Sequence, residues 1–310
     1  MDFRQLKAFL TVAETGNVTR AAELLNIVQP AVSRQIRLLE EDVGTSLFDR
    51  GRHGMTLTEA GKALVEYGRR VMLELERARM ELKSSEAEIS GVVTIGLLPS
   101  TSEILSSAIV SAVAHHYPGI RMRIAMGYAG TLMHWLETGE VDAALLYGAE
   151  RSTEIQTTPL VDEPLWVIGP KDAKLHRSEP MPLADLAGRK LILPSAHHGI
   201  RILVEHACRG AGISLDLSVE TNALSVQRSL VLGGHGLTVL PPIAVADDLA
   251  QGRLSGTPIS DPDITRTIVL GLPANRSTGR HIRSVLQILT DEMHLAIEKG
   301  IWMEGRWLAD

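Results

Sequence analysis

The sequence predicts a fold of two regions: an N-terminal all-α winged helix-turn-helix plus a long linker helix, and a C-terminal α/β domain of two lobes. Three observations support it. Between residues 3 and 82, apolar residues recur at helical spacings. From Gly91 onward, short β-branched runs alternate with helical stretches, which is typical of an α/β sheet with mainly parallel strands. The chain has 310 residues, which is long enough for two domains of ~100 to 200 residues each.

The composition is that of an ordinary globular protein. Hydrophobic residues make up 45% and charged residues 22% of the chain, and no run of ~18 apolar residues suggests a membrane span. The opening MDFRQLKAFL has neither the basic start nor the apolar centre of a secretory signal, so we expect a cytoplasmic protein without a membrane partner. Cys208 is the only cysteine, so we expect no intrachain disulfide and no thiolate zinc site.

The net charge of −6 argues at first against a nucleic-acid partner, because phosphate binding needs a cationic surface. The distribution of charge changes this conclusion. Residues 1 to 70 hold ten Lys or Arg against nine Asp or Glu, whereas residues 91 to 310 hold 18 against 23. DNA binding would therefore depend on locally placed cations, here Arg34 and Arg37 on one helix and Arg50 and Arg52 shortly after it.

Two short helices are predicted at the start of the chain. The apolar residues of the first recur with helical spacing before Gly16, a residue type that commonly stops a helix: Phe3, Leu6, Leu10 and Ala13. The second begins with Thr19 as its N-cap and ends at Asn26. Within it, Leu24 and Leu25 are expected to point inward.

A third helix is predicted over QPAVSRQIRLLEEDVG, with Pro30 in its first turn. One stripe of this helix is apolar and consists of Val32, Ile36, Leu39 and Val43. The opposite side carries Gln29, Ser33, Arg34 and Arg37. A merely solvated surface is the alternative for any single helix. The order helix, turn, Pro-initiated helix favours a helix-turn-helix whose second helix enters the major groove.

The stretch TSLFDRGRHGMTLTEAG predicts a β-hairpin anchored by Leu47 and Phe48. Its glycine-flanked tip carries Arg50, Arg52 and His53 and would form a wing that places cations beside phosphates. A plain solvated turn is the alternative.

A long helix follows, with Thr58 as its N-cap and Glu59 in its first turn. Small and apolar residues along it alternate spacings of four and three: Leu64, Gly68, Val71, Leu75, Ala78 and Leu82. Such a heptad seam suits pairing with a second copy, which would bring two recognition helices to half-sites about one DNA turn apart. Burial against the rest of its own chain is the alternative.

The run from LKAFLTVAETGNVTRAAELLNIVQPAVSRQIRLLEEDVGTSLF through LTEAG resembles the N-terminal region of LysR-type transcriptional regulators, and the order of the later elements is similar over essentially the whole chain. The matching positions include Ala21, Ala22, Leu24, Gln29, Pro30, Ser33, Ile36, Leu39, Glu40, Gly44, Leu47, Phe48, Arg50, Thr58 and Gly61. Val18 departs from the family, which more often has an aromatic residue there, and this bears on local packing.

The resemblance implies a regulator that binds double-stranded promoter DNA as a homodimer, commonly assembled as a homotetramer, with RNA polymerase as a further partner. It also implies a C-terminal domain of periplasmic-binding-protein architecture that is controlled by a small effector, with no cofactor. We expect residues 1–58 to bind DNA, 59–90 to form the linker and dimerisation helix, and 91–310 to bind the effector. Lobe I would comprise residues 92–160 and 268–310, and lobe II residues 161–267.

The effector site is expected where strands end and helices begin, because free N–H groups at helix N-termini favour anions. Four turns fit this description: PSTS at 99–102, GYAG at 127–130, PSAHHG at 194–199 and TNA at 221–223. We expect a carboxylate held by Ser100, Thr101 and Ser195, with the rest of the site shaped by Tyr128, His198 and Asn222. Helix capping alone is the alternative for each residue. Arg201 is the one obvious cation nearby, and an aromatic carboxylate is the effector class that we expect.

Catalytic and metal-binding motifs are not found. The sequence contains no GxxxxGK[ST] loop, no GxGxxG after a strand and no GxSxG elbow. The adjacent pairs His115–His116 and His197–His198 would point about 100° apart on a helix, so we expect surface histidines rather than metal ligands. Cys208 lies in an apolar helical run and is expected to be a free, inert core residue.

Three classes of function are compatible with the predicted fold: a regulator, a solute-binding protein and an enzyme working in the cleft. The opening of the chain disfavours the second and the lack of catalytic motifs disfavours the third, so we expect a regulator and not an enzyme. The final GIWMEGRWLAD carries Trp302 and Trp307, which could dock on their own domain or on another subunit.

Overall fold

The computed structural model describes residues 1–51, 54–83, 89–147, 152–275 and 278–309. The chain divides into two compact units, formed mainly by residues 1–85 and by residues 86–310. None of the helices in the described ranges is both long enough and apolar enough to cross a bilayer.

The N-terminal unit consists of four helices and one hairpin. Three helices come first: α1 (Phe3–Thr15), α2 (Val18–Leu25) and α3 (Gln29–Val43). The antiparallel strands β1 (Phe48–Gly51) and β2 (Gly54–Leu57) form the hairpin, and the long helix α4 (Glu59–Lys83) follows. This order confirms the predicted helix-turn-helix, hairpin and long helix.

Helices α1 and α2 end at the predicted residues, but the predicted N-cap of α2 and one of its predicted buried residues are wrong. Gly16 and Asn26 end α1 and α2 in the left-handed conformation, as expected. The prediction of Thr19 as N-cap is wrong, because the side chain of Asn17 accepts hydrogen bonds from the backbone N–H groups of Thr19 and Arg20. Leu24 does not point inward either: its side chain is 63% exposed, since the core is filled from the other side of α2.

A small core holds the three helices and the hairpin together. Val32, Ile36 and Leu39 of α3 are buried in it, and the rings of Phe9 and Phe48 lie 5.3 Å apart. Glu40 joins α3 to β1 through its carboxylate, which accepts hydrogen bonds from the N–H groups of Leu47 (2.8 Å) and Phe48 (3.3 Å). The apolar stripe of α3 is thus fixed inward, except at Val43, the last residue of the helix, which is 37% exposed against the prediction.

Helix α4 divides its predicted seam between two roles. Thr58 caps it as predicted, accepting from Gly61 N–H at 3.0 Å. Leu64 packs against the unit's own core, and Gly68 lies so close that a Cβ there would stand 2.9 Å from Leu6. Val71 and Leu75, one and two turns further on, are 51% and 37% exposed. Ala78 is exposed as well, and the side chain of Leu82, the last residue of the predicted seam, lies outside the described residues.

The C-terminal unit begins in lobe I. Its first elements are β3 (Gly91–Leu97), α5 (Pro99–His116), β4 (Ile120–Met126), α6 (Ala129–Thr138), β5 (Ala143–Tyr147) and β6 (Ile155–Pro164). The chain then crosses into lobe II at Leu165, whose N–H donates to the carbonyl of Ile264 at 2.8 Å.

Lobe II has a separate core built around smaller sheets. It contains β7 (Trp166–Pro170), β8 (Met181–Pro182), β9 (Lys190–Leu193), α7 (Gly199–Gly210), β10 (Asp216–Glu220), α8 (Leu224–Leu232), β11 (Thr238–Leu240), α9 (Ala246–Ala250) and β12 (Leu254–Ser260). The strands are ordered β11-β7-β12-β8, with β9 and β10 as a parallel pair. Cys208 is buried and free here, as predicted.

The chain returns to lobe I through β13 (Thr265–Pro273), α10 (Arg280–Glu298) and β14 (Arg306–Trp307). The six-stranded sheet has the order β14-β6-β13-β5-β3-β4. The expectation of mainly parallel strands is wrong for this sheet. The outgoing strand β6 and the returning strand β13 run in opposite directions and pair antiparallel over nine residues, from Thr265↔Pro164 to Pro273↔Ile155.

The final segment docks on its own domain. Trp302 is 1% exposed, and β14 adds to the edge of β6. Of the two alternatives for the tail, Trp302 and Trp307 therefore follow the first: both dock on their own domain.

One buried carboxylate ties helices α8 and α9 together in lobe II. Asp248 is fully buried and pairs with Arg228 and with Arg253, whose Nε lies 2.6 Å from Oδ1. Burial by itself would raise the pKa of Asp248, but hydrogen bonds from the two arginines outweigh it and hold the pKa below its usual value.

We predict that Asp248→Asn lowers the free energy of unfolding by about 1 to 3 kcal/mol at pH 7, because two charge-assisted hydrogen bonds lose their anionic acceptor. Urea unfolding measures this, with the exposed neighbour Asp247→Asn as a control expected within ~0.5 kcal/mol of the wild type. Since the folded-state pKa is lowered, the contribution is present above the ordinary aspartate pKa and lost as pH falls through the folded value. A difference that stays constant into strong acid would contradict this assignment.

Candidate functional site

The polar face of α3 is open to solvent within the N-terminal unit. Gln29, Pro30 and Arg34 are exposed, and Ser33 is half-buried. The amide of Gln29 donates to Ser33 Oγ at 3.1 Å, and Arg37 is exposed with its Nε 3.6 Å from Glu41. The apolar stripe fixes the helix orientation, so these polar groups stand together on one face at its N-terminal end.

The wing is described only in part. Arg50 belongs to β1, but its side chain, Arg52 and His53 lie outside the described residues. Their expected place beside phosphates therefore stays a prediction.

A pocket with about 380 Å³ of empty space lies between the two lobes of the C-terminal unit. This space includes volume open to solvent, and the cavity itself measures about 30 Å³. Its lining comes from both lobes: Leu98, Pro99, Ser100, Tyr128, Tyr147, Pro194, His198, Ile200, Asn222, Leu224, Gln227, Leu240, Pro241, Ala244 and Arg266. The N-terminal ends of α5, α7 and α8 all contribute.

Four of the six predicted effector residues line this pocket: Ser100, Tyr128, His198 and Asn222. The other two lie outside its lining. Thr101 is fully buried and its hydroxyl donates to the carbonyl of Leu98 at 3.1 Å. Ser195 donates to Asn222 Oδ1 from both its N–H (2.9 Å) and its hydroxyl (3.0 Å), so it orients Asn222.

Arg201, the cation that the sequence singles out, is not part of the lining. It is buried and pairs with Glu205 at 2.6 Å and with Glu220 at 3.1 Å. The cation that does line the pocket is Arg266, which sequence reasoning missed. It stands between Thr265 and Thr267 at the start of β13, just before the apolar run IVLGLP, and a charged residue in such a strand is the signal that could have identified it.

Arg266 is held on three sides. It is 4% exposed, its Nη2 donates to Ser100 Oγ at 2.8 Å, and it pairs with Glu163 at 2.5 Å. Its guanidinium carbon lies 4.8 Å from the centre of the Tyr147 ring. Tyr147 forms one wall of the pocket, and the sequence analysis did not predict it either.

His198 is half-buried rather than a surface residue, which corrects the expectation for that histidine. Its Nδ1 accepts from the N–H of Ile200 at 3.3 Å, and its Nε2 lies 3.0 Å from the Tyr147 hydroxyl oxygen. Burial and the positive charge of Arg266 lower the pKa of His198 to about 4. The ring is therefore neutral at pH 7, with its proton on Nε2.

The contact between His198 and Tyr147 is not in line with a ring N–H bond. The tyrosine oxygen lies 3.0 Å from Nε2 and 3.5 Å from Nδ1, so it stands beside the ring and not along the Nε2–H direction. Burial raises the pKa of Tyr147 to about 12 against the opposing charge of Arg266, so its hydroxyl also keeps its proton at neutral pH.

Two pocket hydroxyls share one property. Ser100 Oγ accepts from Arg266, and Tyr128 Oη accepts from the N–H of Leu224 at 3.2 Å. Among the described residues, neither hydroxyl donates its proton in a hydrogen bond. The pocket thus presents O–H donors together with an arginine, an arrangement that suits a group able only to accept hydrogen bonds.

Comparisons with known proteins agree with this architecture. Residues 3–62 match the family model described as bacterial regulatory helix-turn-helix protein, lysR family, and residues 86–294 match the LysR substrate binding domain. The chain is 31% identical over 271 residues to the DNA-binding transcriptional dual regulator OxyR of Escherichia coli, covering 87% of this chain and 88% of that protein. It is 28% identical to the HTH-type transcriptional regulator BbuR of Bordetella bronchiseptica over 97% of this chain and 93% of that protein.

Solved structures show the same fold. A full-length OxyR variant from Pseudomonas aeruginosa superposes with a TM-score of 0.71 at 24% identity, covering 100% of this chain and 99% of that one. Full-length CbnR in complex with its target DNA gives a TM-score of 0.74 at 20% identity over 96% and 100% of the two chains. These relatives and neighbours are transcription regulators, not enzymes. The chain belongs to the family of LysR-type transcriptional regulators.

Proposed function

We propose that this regulator reads promoter DNA with the N-terminal end of α3 and responds to a small, carboxylate-bearing organic effector bound between the lobes. Residues 1–58 are assigned to DNA binding, 59–90 to pairing of subunits and 91–310 to sensing. The observation that carries the effector assignment is the pair of hydroxyl donors, Ser100 and Tyr128, that line the pocket together with Arg266.

Oriented donors, rather than net charge, are the basis for selecting a carboxylate. Glu163 already balances the charge of Arg266, and His198 is neutral at pH 7. A carboxylate has about four acceptor sites and no proton to donate, so it matches O–H groups that have no acceptor of their own. The N-terminal ends of α5, α7 and α8 add partial positive charge to the same region.

The remainder of the lining favours a compact apolar body on the effector. Leu98, Ile200, Leu224 and Leu240 surround the polar groups together with Tyr128 and Tyr147. An aromatic acid fits this combination of apolar walls and hydrogen-bond donors. Gln227 is a further polar residue of the lining, and its amide donates a hydrogen bond to the carbonyl of Ile192 at 3.2 Å.

The DNA assignment follows from exposure and position. Ser33 and Arg34 stand on the open face of α3 and would contact base edges, while Gln29 and Pro30 set the entry of the helix. Arg37, Arg50 and Arg52 are assigned to the phosphate backbone. CbnR, solved with its target DNA, shares this fold and supports the assignment by analogy.

Pairing is assigned to the exposed part of α4. Tyr67, Val71 and Leu75 recur every four residues and are 63%, 51% and 37% exposed, which is unfavourable for an isolated helix in water. A second α4 is the partner that a heptad seam suits. We assign this contact to a homodimer, from which a homotetramer assembles. Contacts to RNA polymerase complete the proposal.

We predict that a set of small organic acids raises the melting temperature of the full-length protein while the matching amides do not. Ser100→Ala should weaken binding of the best acid about tenfold, the equivalent of ~1.4 kcal/mol for one hydrogen bond to a charged group. Ser107→Ala, an exposed position on the same helix, is the control. Equal responses to acids and amides would contradict a carboxylate effector.

We predict that Arg34→Ala removes ~1 to 3 kcal/mol of operator affinity and relaxes preference at one base pair, as expected for a lost bidentate guanine contact. Arg37→Ala should instead weaken binding to all sequences alike and reduce the salt dependence by about one phosphate contact. Both are measured by footprinting of DNA upstream of the protein's own coding region. An Arg34→Ala protein that protects the same operator equally well at moderate salt would refute the base contact.

We predict that Val71→Glu combined with Leu75→Glu lowers the molar mass seen by light scattering toward that of a monomer, because a paired seam cannot bury charges. Arg69→Ala, on another face of α4, should leave the mass unchanged. A double variant of undiminished mass would show that subunits associate elsewhere.

A further inference from the structure

The C-terminal tail, residues 299–309, is joined to the domain along its whole length. Trp302 N–H donates to Ala296 O at 2.9 Å, β14 pairs with β6, and Leu308 N–H donates to Leu160 O at 2.9 Å. Arg306 adds an ion pair with Asp162 at 2.6 Å. The matched substrate-binding-domain model ends at residue 294, so the tail lies beyond the matched residues.

The buried indole of Trp302 contacts the ion pair beneath the pocket. Its Nε1–H donates to Glu163 Oε2 at 2.9 Å, while Oε1 of the same carboxylate pairs with Arg266. Trp302 and Glu163 are each 1% exposed, and Arg266 is 4% exposed. One carboxylate is thus shared between a tail residue and the arginine that lines the effector pocket.

The same tail is also tied to lobe II. Glu304 accepts from Trp166 Nε1 at 3.3 Å and from Arg177 Nε at 2.7 Å. It does so with a φ of 57°, an uncommon backbone conformation for a residue other than glycine. The tail therefore contacts both lobes within three residues, one contact through Trp302 and the other through Glu304.

We propose that Trp302 is a positioning residue of the effector pocket: through Glu163, it fixes where the guanidinium of Arg266 stands against Ser100 and Tyr147. This proposal rests on the proposed function in one respect, the kind of ligand that the pocket binds. Without the indole N–H, Oε2 is left buried without its donor. Oε1 already lies 2.5 Å from both Nε and Nη2 of Arg266. The freed Oε2 then turns to one of these two nitrogens, since bidentate pairing is favourable, and the guanidinium shifts relative to Ser100 and the Tyr147 ring.

The test needs no effector. Full-length protein is labelled with 3-fluorotyrosine, and the ¹⁹F resonance of Tyr147 is assigned with Tyr147→Phe; the chain has four tyrosines. Trp302→Phe keeps an aromatic ring and removes the N–H. It is expected to shift the Tyr147 resonance by more than its linewidth, because the cation that stands 4.8 Å from that ring moves. Trp307→Phe, in the same tail but with its ring 5.1 Å from that of His294, should leave the resonance in place.

A reciprocal measurement covers the case in which Trp302→Phe does not fold. In protein with ¹⁵N-labelled indoles, Arg266→Lys should move the Trp302 N–H signal and leave that of Trp307 unchanged. The four indole signals are assigned by single Trp→Phe substitutions and by elimination. A Tyr147 resonance unmoved in folded Trp302→Phe, or a Trp302 signal unmoved by Arg266→Lys, overturns the proposal. Because no acid is added, this outcome is independent of whether the pocket prefers carboxylates.

Discussion

The antiparallel pairing of the two crossing strands is the constraint on which the sensing unit depends. Strand β6 leaves lobe I, β13 returns to it, and their register places Arg266 directly opposite Glu163. Both side chains are buried, so neither charge is tolerable without the other. The pair brings an arginine to the pocket, gives the tail a carboxylate to bind, and lies where the chain passes between the lobes. A single register therefore sets the geometry of the pocket, of the crossing between the lobes and of the tail.

Periodicity predicted most of the fold. The stops at Gly16 and Asn26 and the cap at Thr58 depend on residues close in sequence, and they occur as expected. The stripes of α1 and α3 face the core except at Phe3 and Val43, which lie at the helix ends and are 36% and 37% exposed. The misassigned cap at Thr19 and the exposed Leu24 reflect small differences in where α2 begins and which side it buries. The antiparallel β6–β13 pair could not be predicted from alternation of strands and helices, because it joins segments about a hundred residues apart.

The sequence predicted the position of the candidate pocket more accurately than the residues that determine its chemistry. Turns at strand ends correctly pointed to Ser100, Tyr128, His198 and Asn222. Thr101 and Ser195 come from the same turns but face the protein, and a turn motif does not say which of two neighbours faces the cleft. Arg266 and Tyr147 were missed because their role arises from tertiary contacts, and Arg201 was overvalued because its partners Glu205 and Glu220 meet it only in the fold.

The central claim is that the hydroxyl donors that line the pocket together with Arg266 hold the carboxylate of an effector. A crystal structure of the full-length protein with the most stabilising acid tests this most directly. The account predicts a carboxylate within hydrogen-bond distance of Ser100 Oγ and of the Tyr128 hydroxyl. An acid bound between the lobes with its carboxylate turned to solvent, or bound away from Arg266 altogether, would contradict it.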